Sequence, residues 1–532
     1  MSQAPSTFNF ADIWEMAADA VSDREALVVG DQRRTYAQLD ERVRRLANHL
    51  SGRGVGRGDH VALYLENCAE YLEAMLAAFT LRAVPINVNH RYVADELGYL
   101  LDNSDAVAVI TQPSLAPTVD TVVGHLPAVR VTLVTGDDYD AALAAAPGER
   151  PAITRSSDDR YIIYTGGTTG MPKGVVWRHV DAFYACIGGG DPMRLHGPVK
   201  RPDELPARIA EQPVCFLPVA PMMHAAAQWT SLSWLFSGNK VVLMPGSLDP
   251  GAVWQAVERE KVNGLTVVGD AVARPLLDAW DRAGGYDASS LFTFSNGGAP
   301  MSPATRARVF ATLPDVFLAD GFGSSEAGTQ ASMRVSAKDG PPAAGPVRFN
   351  HPAKPTIVVD AAGAEVVAGS GVIGQVLAGG HLPLGYHKDP EATAASFVER
   401  DGQRWLITGD MATIAADGSI ELVGRGSGTI NTGGEKVFAE EVEAALKAHP
   451  SVYDCLVVGV PDEHWGSAVV AVVQPVAGAA PTLDELVGHC KQRLAAYKAP
   501  KHLVVVDAVA RSPSGKADYR WAQAAAEKGV GS

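Results

Sequence analysis

Cysteine is scarce. The 532-residue chain carries five, Cys68, Cys186, Cys215, Cys455 and Cys490, and no two stand at C-x-x-C spacing. An odd, scattered set argues against a disulfide framework or a zinc ribbon, so a reducing compartment, the cytoplasm, is the expected setting. Positive charge is also in deficit: 45 Lys and Arg against 60 Asp and Glu leave a formal net charge of −15. Non-specific nucleic-acid binding needs basic surface to displace counterions, so no nucleic-acid partner is expected, although a local basic site for a phosphate remains compatible with an acidic whole. Nowhere do ~18 apolar residues run without interruption, so no integral membrane span is expected. Near the start, Asp12 and Glu15 fall where a secretory leader would need its apolar centre, and no basic segment precedes them. There is no internal repeat and no Pro-rich tract, despite 53 Gly and 34 Pro.

What remains is a globular composition, 47% apolar and 20% charged. At roughly 150 residues per domain the length suggests three or four domains. The periodicity predicts a helix over Thr35–Leu50, with Leu39, Val43, Leu46, Ala47 and Leu50 on one face. Short apolar runs at 60–67, 106–112, 241–246 and 264–269 read as strands, separated by helical patterns at 69–81, 249–261 and 271–283. Strand–helix alternation is the mark of parallel α/β layers. The Gly-, Pro- and charge-rich stretch 188–213 reads as a long surface excursion, a passive loop or a lid. Residues 411–425 read as a hairpin turning on Asp417-Gly418. The tail then predicts helix 439–448, strands 452–460 and 468–476, a helix opening at Thr482 with Glu485 closing a capping box, and a strand at 502–506. The expected division is a large domain over 1–424 and a small α/β domain over 425–532, breaking near Gly424–Gly428.

The sharpest local feature is YTGGTTGMPKG, Tyr164 to Gly174. An apolar strand enters; glycines let backbone N–H groups converge on an anion; Thr165, Thr168 and Thr169 add hydroxyls and Lys173 a full charge. This is phosphate-binding chemistry without the Walker A spacing, since Gly174 follows the lysine. Gly321-Phe322-Gly323 likewise fails the dinucleotide fingerprint, having Glu326 at the sixth position.

YTGGTTGMPKG resembles the signature loop of the adenylate-forming superfamily, which includes acyl-CoA synthetases, peptide-synthetase adenylation domains and beetle luciferases. Further resemblances follow in order: SNGGAPMS (295–302), DGFGSSEAG (320–328), WLITGD (405–410), GRGSGTINTGGEKVFAEEVE (424–443) and SPSGKADYR (512–520). They span essentially the whole chain. Taken singly each is bland: Asp410 could be a turn former, Lys516 a solvated side chain, Glu326 a helix cap, His224 a satisfied core histidine.

Together the resemblance implies a set of roles. ATP and AMP would meet Thr165, Gly166, Gly167, Thr168, Thr169, Gly170 and Lys173 of the loop, Gly298, Ala299 and Pro300 of the adenine-side turn, and Asp320, Gly321, Phe322, Gly323, Ser324 and Ser325. Phe322 stands where the family has a Tyr that stacks on adenine, and Ser325 where it has a Thr near the α-phosphate. Asp410 and Arg425 would hold the ribose, Thr165 and Glu326 would lie near Mg²⁺, and Lys516 would reach in from the small domain as the catalytic lysine, with Glu326 and His224 beside it. His224, Ala225, Gln228, Trp229, Asn296 and Gly297 would line the acyl pocket. Gly433, Gly434 and Lys436 would line the path of CoA, and Ser427 would be the hinge. Two departures stand out: Ser427-Gly428 replaces the usual charged hinge, and the family's loop serine is Gly166 or Gly167 here.

The implied reaction is two-step: a carboxylate attacks ATP to give acyl-adenylate and pyrophosphate, then a thiolate displaces AMP. No acid lies in Ala225–Leu235 to pair an amino group, which disfavours amino acids. Small residues at 225–227, 297–299, 321 and 323 leave room for a bulky apolar chain, and no Arg or Lys at these positions disfavours diacids. The wording of several motifs, AVPINVNHRY among them, resembles bacterial ligases for fatty, steroid side-chain or alicyclic acids. A luciferase-like oxygenase, an amide-forming or carrier-protein enzyme, and a non-catalytic nucleotide binder share the nucleotide motifs, and homodimerisation is left open.

Overall fold

The computed structural model describes residues 7–165, 171–339, 348–349, 351–352, 354–432, 435–462, 466–512 and 515–530. Two large sheets organise it. A nine-stranded sheet runs, from edge to edge, through His351–Pro352, Gly328–Ser336, Phe317–Ser324, Thr293–Gly297, Gly264–Val267, Cys215–Pro218, Lys240–Leu243, Glu25–Val29 and Gln32–Thr35. Its centre is parallel and both edges are antiparallel. A seven-stranded sheet orders Gly385–Tyr386, Lys173–Arg178, Arg160–Thr165, Val84–Asn87, His60–Tyr64, Ala106–Thr111 and Val131–Val134, again parallel except at the Lys173 edge.

Strand alternation explains why these sheets have helices on both faces. Val241 and Leu243 point into one core while Val242 points into another; Val61 and Leu63 face that first core while Ala62 and Tyr64 face a third. The shared core holds helices Phe10–Ala20, Tyr36–Gly52, Ala69–Thr80 and Ala225–Phe236 between the two sheets. The helix predicted at Thr35 begins one residue later because Thr35 is its cap: its hydroxyl accepts from Gln38 N while the Gln38 side chain accepts from Thr35 N.

Within this core His179 is fully buried, stacked on Phe10 at 4.5 Å, with its Nδ1 accepting from Phe10 N at 3.0 Å. Burial pushes its pKa down to about 4. The unfolded chain takes up this proton below about 6.5 and the folded chain does not until about 4, so stability falls as pH falls through that window. His179→Gln, which keeps an acceptor for Phe10 N, is expected to remove about 2 kcal/mol of the stability lost between pH 7 and 5. Urea unfolding of both proteins at the two pH values measures it, and an unchanged pH slope would contradict it.

A third, antiparallel sheet, of which the sequence predicts only the hairpin 411–425, joins Arg348–Phe349, Ile420–Arg425, Gln403–Ile414, Gly374–Ala378 and Thr356–Val359, with Phe397–Arg400 on the long strand. Its hairpin does turn at Asp417-Gly418, but through a longer loop than the two-residue turn expected: Ala415 N bonds Ser419 O, and Asp417 Oδ1 accepts from Ser419. The tail builds the sheet Val452–Asp462, Gly466–Pro475, His502–Val505, flanked by the hairpin Thr429–Thr432/Glu435–Phe438 and a last helix, Tyr519–Val530, that the sequence reading missed. Residues 188–213 are not a passive loop: Val199 and Leu205 are buried in the main core, and Met193 and Arg194 line the principal cavity.

Candidate active site

A cavity of about 1430 Å³ extends from the C-terminal ends of the parallel strands, under the small α/β unit, along the sheet to Gly264 and Thr293 at their N-terminal ends; the C-terminal end is where crevices of doubly wound sheets receive ligands. Thr165, Gly297, Gly298, Asp320, Gly321, Phe322, Gly323, Ser324 and Ser325 line it, as do His224, Ala225, Trp229, Asn296 and Lys516. Residues as far apart in sequence as Thr165 and Lys516 thus converge as the motifs implied. Gly166, Gly167, Thr168, Thr169, Gly170, Gly433 and Gly434 lie outside the described residues.

The strand leading into the phosphate loop, Arg160–Thr165, pairs with Lys173–Arg178 so that Thr165 faces Lys173 across the ladder. Lys173 Nζ meets Asp389 at 2.8 Å and stands 5.5 Å from the centroid of the Tyr386 ring. The Tyr386 hydroxyl donates to Glu326 Oε1 at 3.3 Å. The loop lysine and the acidic residue of the DGFGSSEAG motif are therefore linked through Tyr386, which the sequence reading did not single out.

Asn87 is the other omission. Its Nδ2 donates to Tyr164 O at 2.8 Å and Met223 O at 2.7 Å, and its Oδ1 accepts from Tyr164 N at 2.7 Å. One buried amide thus ties the phosphate strand to the segment bearing His224. Its signal was present in AVPINVNHRY, but nothing local marks an Asn as a clamp. Asn87→Ala leaves these buried backbone groups unpaired and is expected to cost about 2–4 kcal/mol, with a higher KM for ATP. Thermal unfolding and ATP titration measure this; a variant with both values unchanged would contradict the clamp.

The adenine-side turn is held from below. Asn296 accepts from Gly269 N at 2.7 Å and donates to Ala299 O at 3.0 Å and to Asp320 at 2.8 Å. Arg306 engages the other Asp320 oxygen, so this buried carboxylate spends both oxygens on fixing the turn. Gly269 adopts φ +56°, and a Cβ there would come within 2.7 Å of Pro300 O. Ala299 and Pro300 sit against it, behind Gly298 rather than on the cavity wall. The DGFGSSEAG hairpin closes on Gly328, at φ +68°, where a Cβ would stand 2.5 Å from Ala185 O. Phe322 places its ring 5.6 Å from that of Phe349 in a small core beneath the hairpin.

Register also brings together Asp410 and Arg425, the two residues that the motifs imply for the ribose. Asp410, nearly buried, stands directly opposite Arg425 in the antiparallel ladder. The helix Ala225–Phe236 divides its residues by period: Ala225, Ala226, Trp229, Thr230 and Ser233 line the cavity, while Ala227, Gln228, Ser231 and Leu232 are buried. Gln228, expected in the acyl pocket, therefore faces the core. It accepts from Tyr161 at 2.6 Å and donates to Tyr71 and Met222 O. Positions 225–227, 297–299, 321 and 323 carry no Arg or Lys, but Arg194 and Arg334 line the same cavity, brought there by elements outside the motifs.

His224 precedes this helix, and its Nε2 is shut off from solvent without a hydrogen-bond partner among the described residues. Burial, aided by Lys516, His90 and Arg91, pushes its pKa down to about 3, so the imidazole is neutral near pH 7. Lys516 arrives on a tight loop in which its N donates to Ser512 Oγ and its O accepts from Ser512 N. Gly515 packs on Val268 and Ala271, an added Cβ standing 3.4 Å from Ala271 Cβ. The docking is reinforced where Arg274 donates to Tyr453 O and the Tyr453 hydroxyl donates to Asp278 at 3.2 Å. Arg511 grips Asp454 through two bonds of 2.7 Å; burial opposes ionisation there, but Lys447 and Arg511 hold the carboxyl down at about 2.

The family described as AMP-binding enzyme matches residues 14–387. The chain belongs to that family. The AMP-binding enzyme C-terminal domain matches residues 441–516, ending on the loop lysine. Within the family it is an acyl-CoA synthetase of the adenylate-forming type. It is 44% identical, over 97% of its length and 96% of the relative's, to a Mycobacterium marinum protein named medium/long-chain-fatty-acid–CoA/3-oxocholest-4-en-26-oate–CoA ligase. It is 43% identical, over 97% and 95%, to the 3-oxocholest-4-en-26-oate–CoA ligase of Rhodococcus rhodochrous. Its fold matches a solved anthranilate CoA ligase, AuaEII, with a TM-score of 0.87 over 99% of both chains at 23% identity. No helix among the described residues of the synthetase is long and apolar enough to cross a membrane.

Proposed function

We propose that this synthetase converts medium- or long-chain fatty acids and steroid side-chain or other alicyclic acids to their CoA thioesters in a reducing cytoplasm. A substrate carboxylate oxygen attacks the α-phosphorus of ATP; the bond to the bridging oxygen breaks and pyrophosphate leaves. The CoA thiolate then attacks the acyl carbon of the adenylate and AMP leaves. The observation that carries the reading is Lys516 docked beside His224 at one end of a cavity whose acyl wall is small and apolar. In this pose the ammonium is placed to offset the negative charge that develops as carboxylate and phosphate combine. A neutral His224 lets the acyl carboxylate approach without a competing ion pair, and apolar walls at Ala225, Ala226, Trp229 and Trp234 favour a hydrocarbon chain.

Glu326 and Thr165 offer the hard oxygen donors that Mg²⁺ prefers, and among the described residues no cation pairs with Glu326. Mg²⁺ held there would supply charge neutralisation to the triphosphate. Lys173 would exchange Asp389 for phosphate oxygens, Phe322 would border adenine, and Asp410 with Arg425 would hold the ribose. Residues 425–532 would form the swinging unit, turning at Ser427 to withdraw Lys516 and bring Gly433, Gly434 and Lys436 toward the pantetheine arm. The names of the mycobacterial and rhodococcal relatives support the choice of acids. A panel of acids assayed for CoA thioester tests it: medium, long or polycyclic acids should exceed acetate and benzoate, and the reverse order would overturn it.

A further inference from the structure

The cavity carries one feature that adenylation and thioester formation leave unused. Arg194 Nη1 donates to Ser332 Oγ at 3.0 Å, and Arg334 Nη2 donates to Met193 O at 3.0 Å. The two bonds cross-tie residues 193–194 to the strand Gly328–Ser336, and all four residues line the cavity. Among the described residues neither guanidinium lies within ion-pair distance of a carboxylate. Each has five N–H donors and leaves most of them unspent. Both arginines are exposed, so the two guanidiniums stand where the cavity meets solvent, and an oxygen acceptor that reaches this edge can bond to both.

Register places them far from the reacting end. Ser324 pairs with Gly328 at the nucleotide turn, Gly321 with Ser332, and Ala319 with Arg334. At about 3.4 Å per residue, Ala319 lies about 17 Å along the strand from Ser324. Between them the cavity is walled by Gly321 and Gly323; at Gly321 the place of a side chain is open, which leaves width for a broad acyl body, while Gly323 is fixed by the close approach of Gly328 O.

We propose that Arg194 and Arg334 form a distal acyl subsite that hydrogen-bonds an oxygen acceptor, carbonyl or carboxylate, at the end of the substrate remote from the activated carboxylate. This deepens the proposed function and rests on it. The subsite makes the enzyme favour oxygenated acids over plain hydrocarbon acids of equal length, because the acceptor gains charge-assisted bonds to the guanidiniums that a hydrocarbon end cannot make.

The test compares wild type with Arg194→Met/Arg334→Met, which keeps side-chain length and apolar packing while deleting donors and charge. Thioester formation is measured with an unsubstituted long-chain acid, its ω-oxo and ω-carboxy counterparts, and a steroid acid with a ring ketone. The expected result is a loss in kcat/KM of about tenfold or more for oxygenated acids, with the unsubstituted acid changed less than about twofold. Loss confined to the keto acids identifies a neutral carbonyl as the ligand, and loss confined to the ω-carboxy acid identifies a carboxylate. Equal loss for all acids, or a rise in the KM for CoA with acid preference unchanged, overturns the subsite. Wild-type enzyme that forms no thioester from any of these acids overturns the function on which it rests.

Discussion

Replacing Lys516 with alanine slows acyl-adenylate formation by about 10²–10³-fold, while thioester formation from supplied acyl-adenylate and CoA stays near the wild-type rate. The size follows from what one preorganised donor at a developing charge contributes, about 3–4 kcal/mol in a site closed to water. The selectivity follows from geometry. The ammonium is delivered to the cavity by a loop whose own hydrogen bonds run to Ser512, and the loop rests on Val268 and Ala271 of the large domain. Truncating the side chain leaves those contacts standing, so the variant should fold, bind ATP and dock its small unit while lacking the charge at the α-phosphate. Pyrophosphate release reads the first step and CoA-dependent thioester from synthetic adenylate the second. Equal loss in both steps would show that Lys516 does not act on adenylation alone.

Much of this architecture was legible where local chemistry and global position agree. Helix Tyr36–Gly52 announces itself by period and by the Thr35/Gln38 cap, and the tail helix at Thr482 by its capping box. The central strands are short apolar runs between breakers because parallel strands are buried on both faces. The residues of the site were legible through motifs rather than through periodicity, and the structure gathers Thr165, His224, Asn296, Asp320 to Ser325 and Lys516 around one cavity, while Gln228, Ala299 and Pro300 do not line it. What escaped was set by tertiary context. Gln228 lies within the right segment but on the wrong side of its helix, and two tyrosine side chains and a carbonyl, not sequence, decide that. Asn87 is one polar residue at the end of a strand, and its importance exists only once Tyr164 and Met223 are neighbours. Arg194 sits in a stretch whose composition says loop, and only the fold brings Arg334 to it across some 140 positions. The strands Arg348–Phe349, Thr356–Val359 and Gly385–Tyr386 are short and antiparallel, so their apolar signal is too thin to separate from turns.

The account depends on one lysine-bearing unit that must be docked for adenylation and undocked for thioester formation. Ala271 and Gly515 allow this to be tested covalently. A Cβ at Gly515 would stand 3.4 Å from that of Ala271, close to the spacing of a disulfide. The left-handed backbone at Gly515, φ +76°, adds about 1–2 kcal/mol of strain that a cross-link can carry. Of the native cysteines, four are buried and Cys68 is only partly exposed, so the engineered pair is the one available to oxidant. The measurement is single-turnover kinetics of Ala271→Cys/Gly515→Cys, oxidised and reduced, with ATP, a long-chain acid and CoA. The prediction is that the oxidised enzyme releases pyrophosphate and accumulates acyl-adenylate but makes no thioester, and that reductant restores thioester formation. Oxidised, fully cross-linked enzyme that forms thioester at the reduced enzyme's rate would contradict the account.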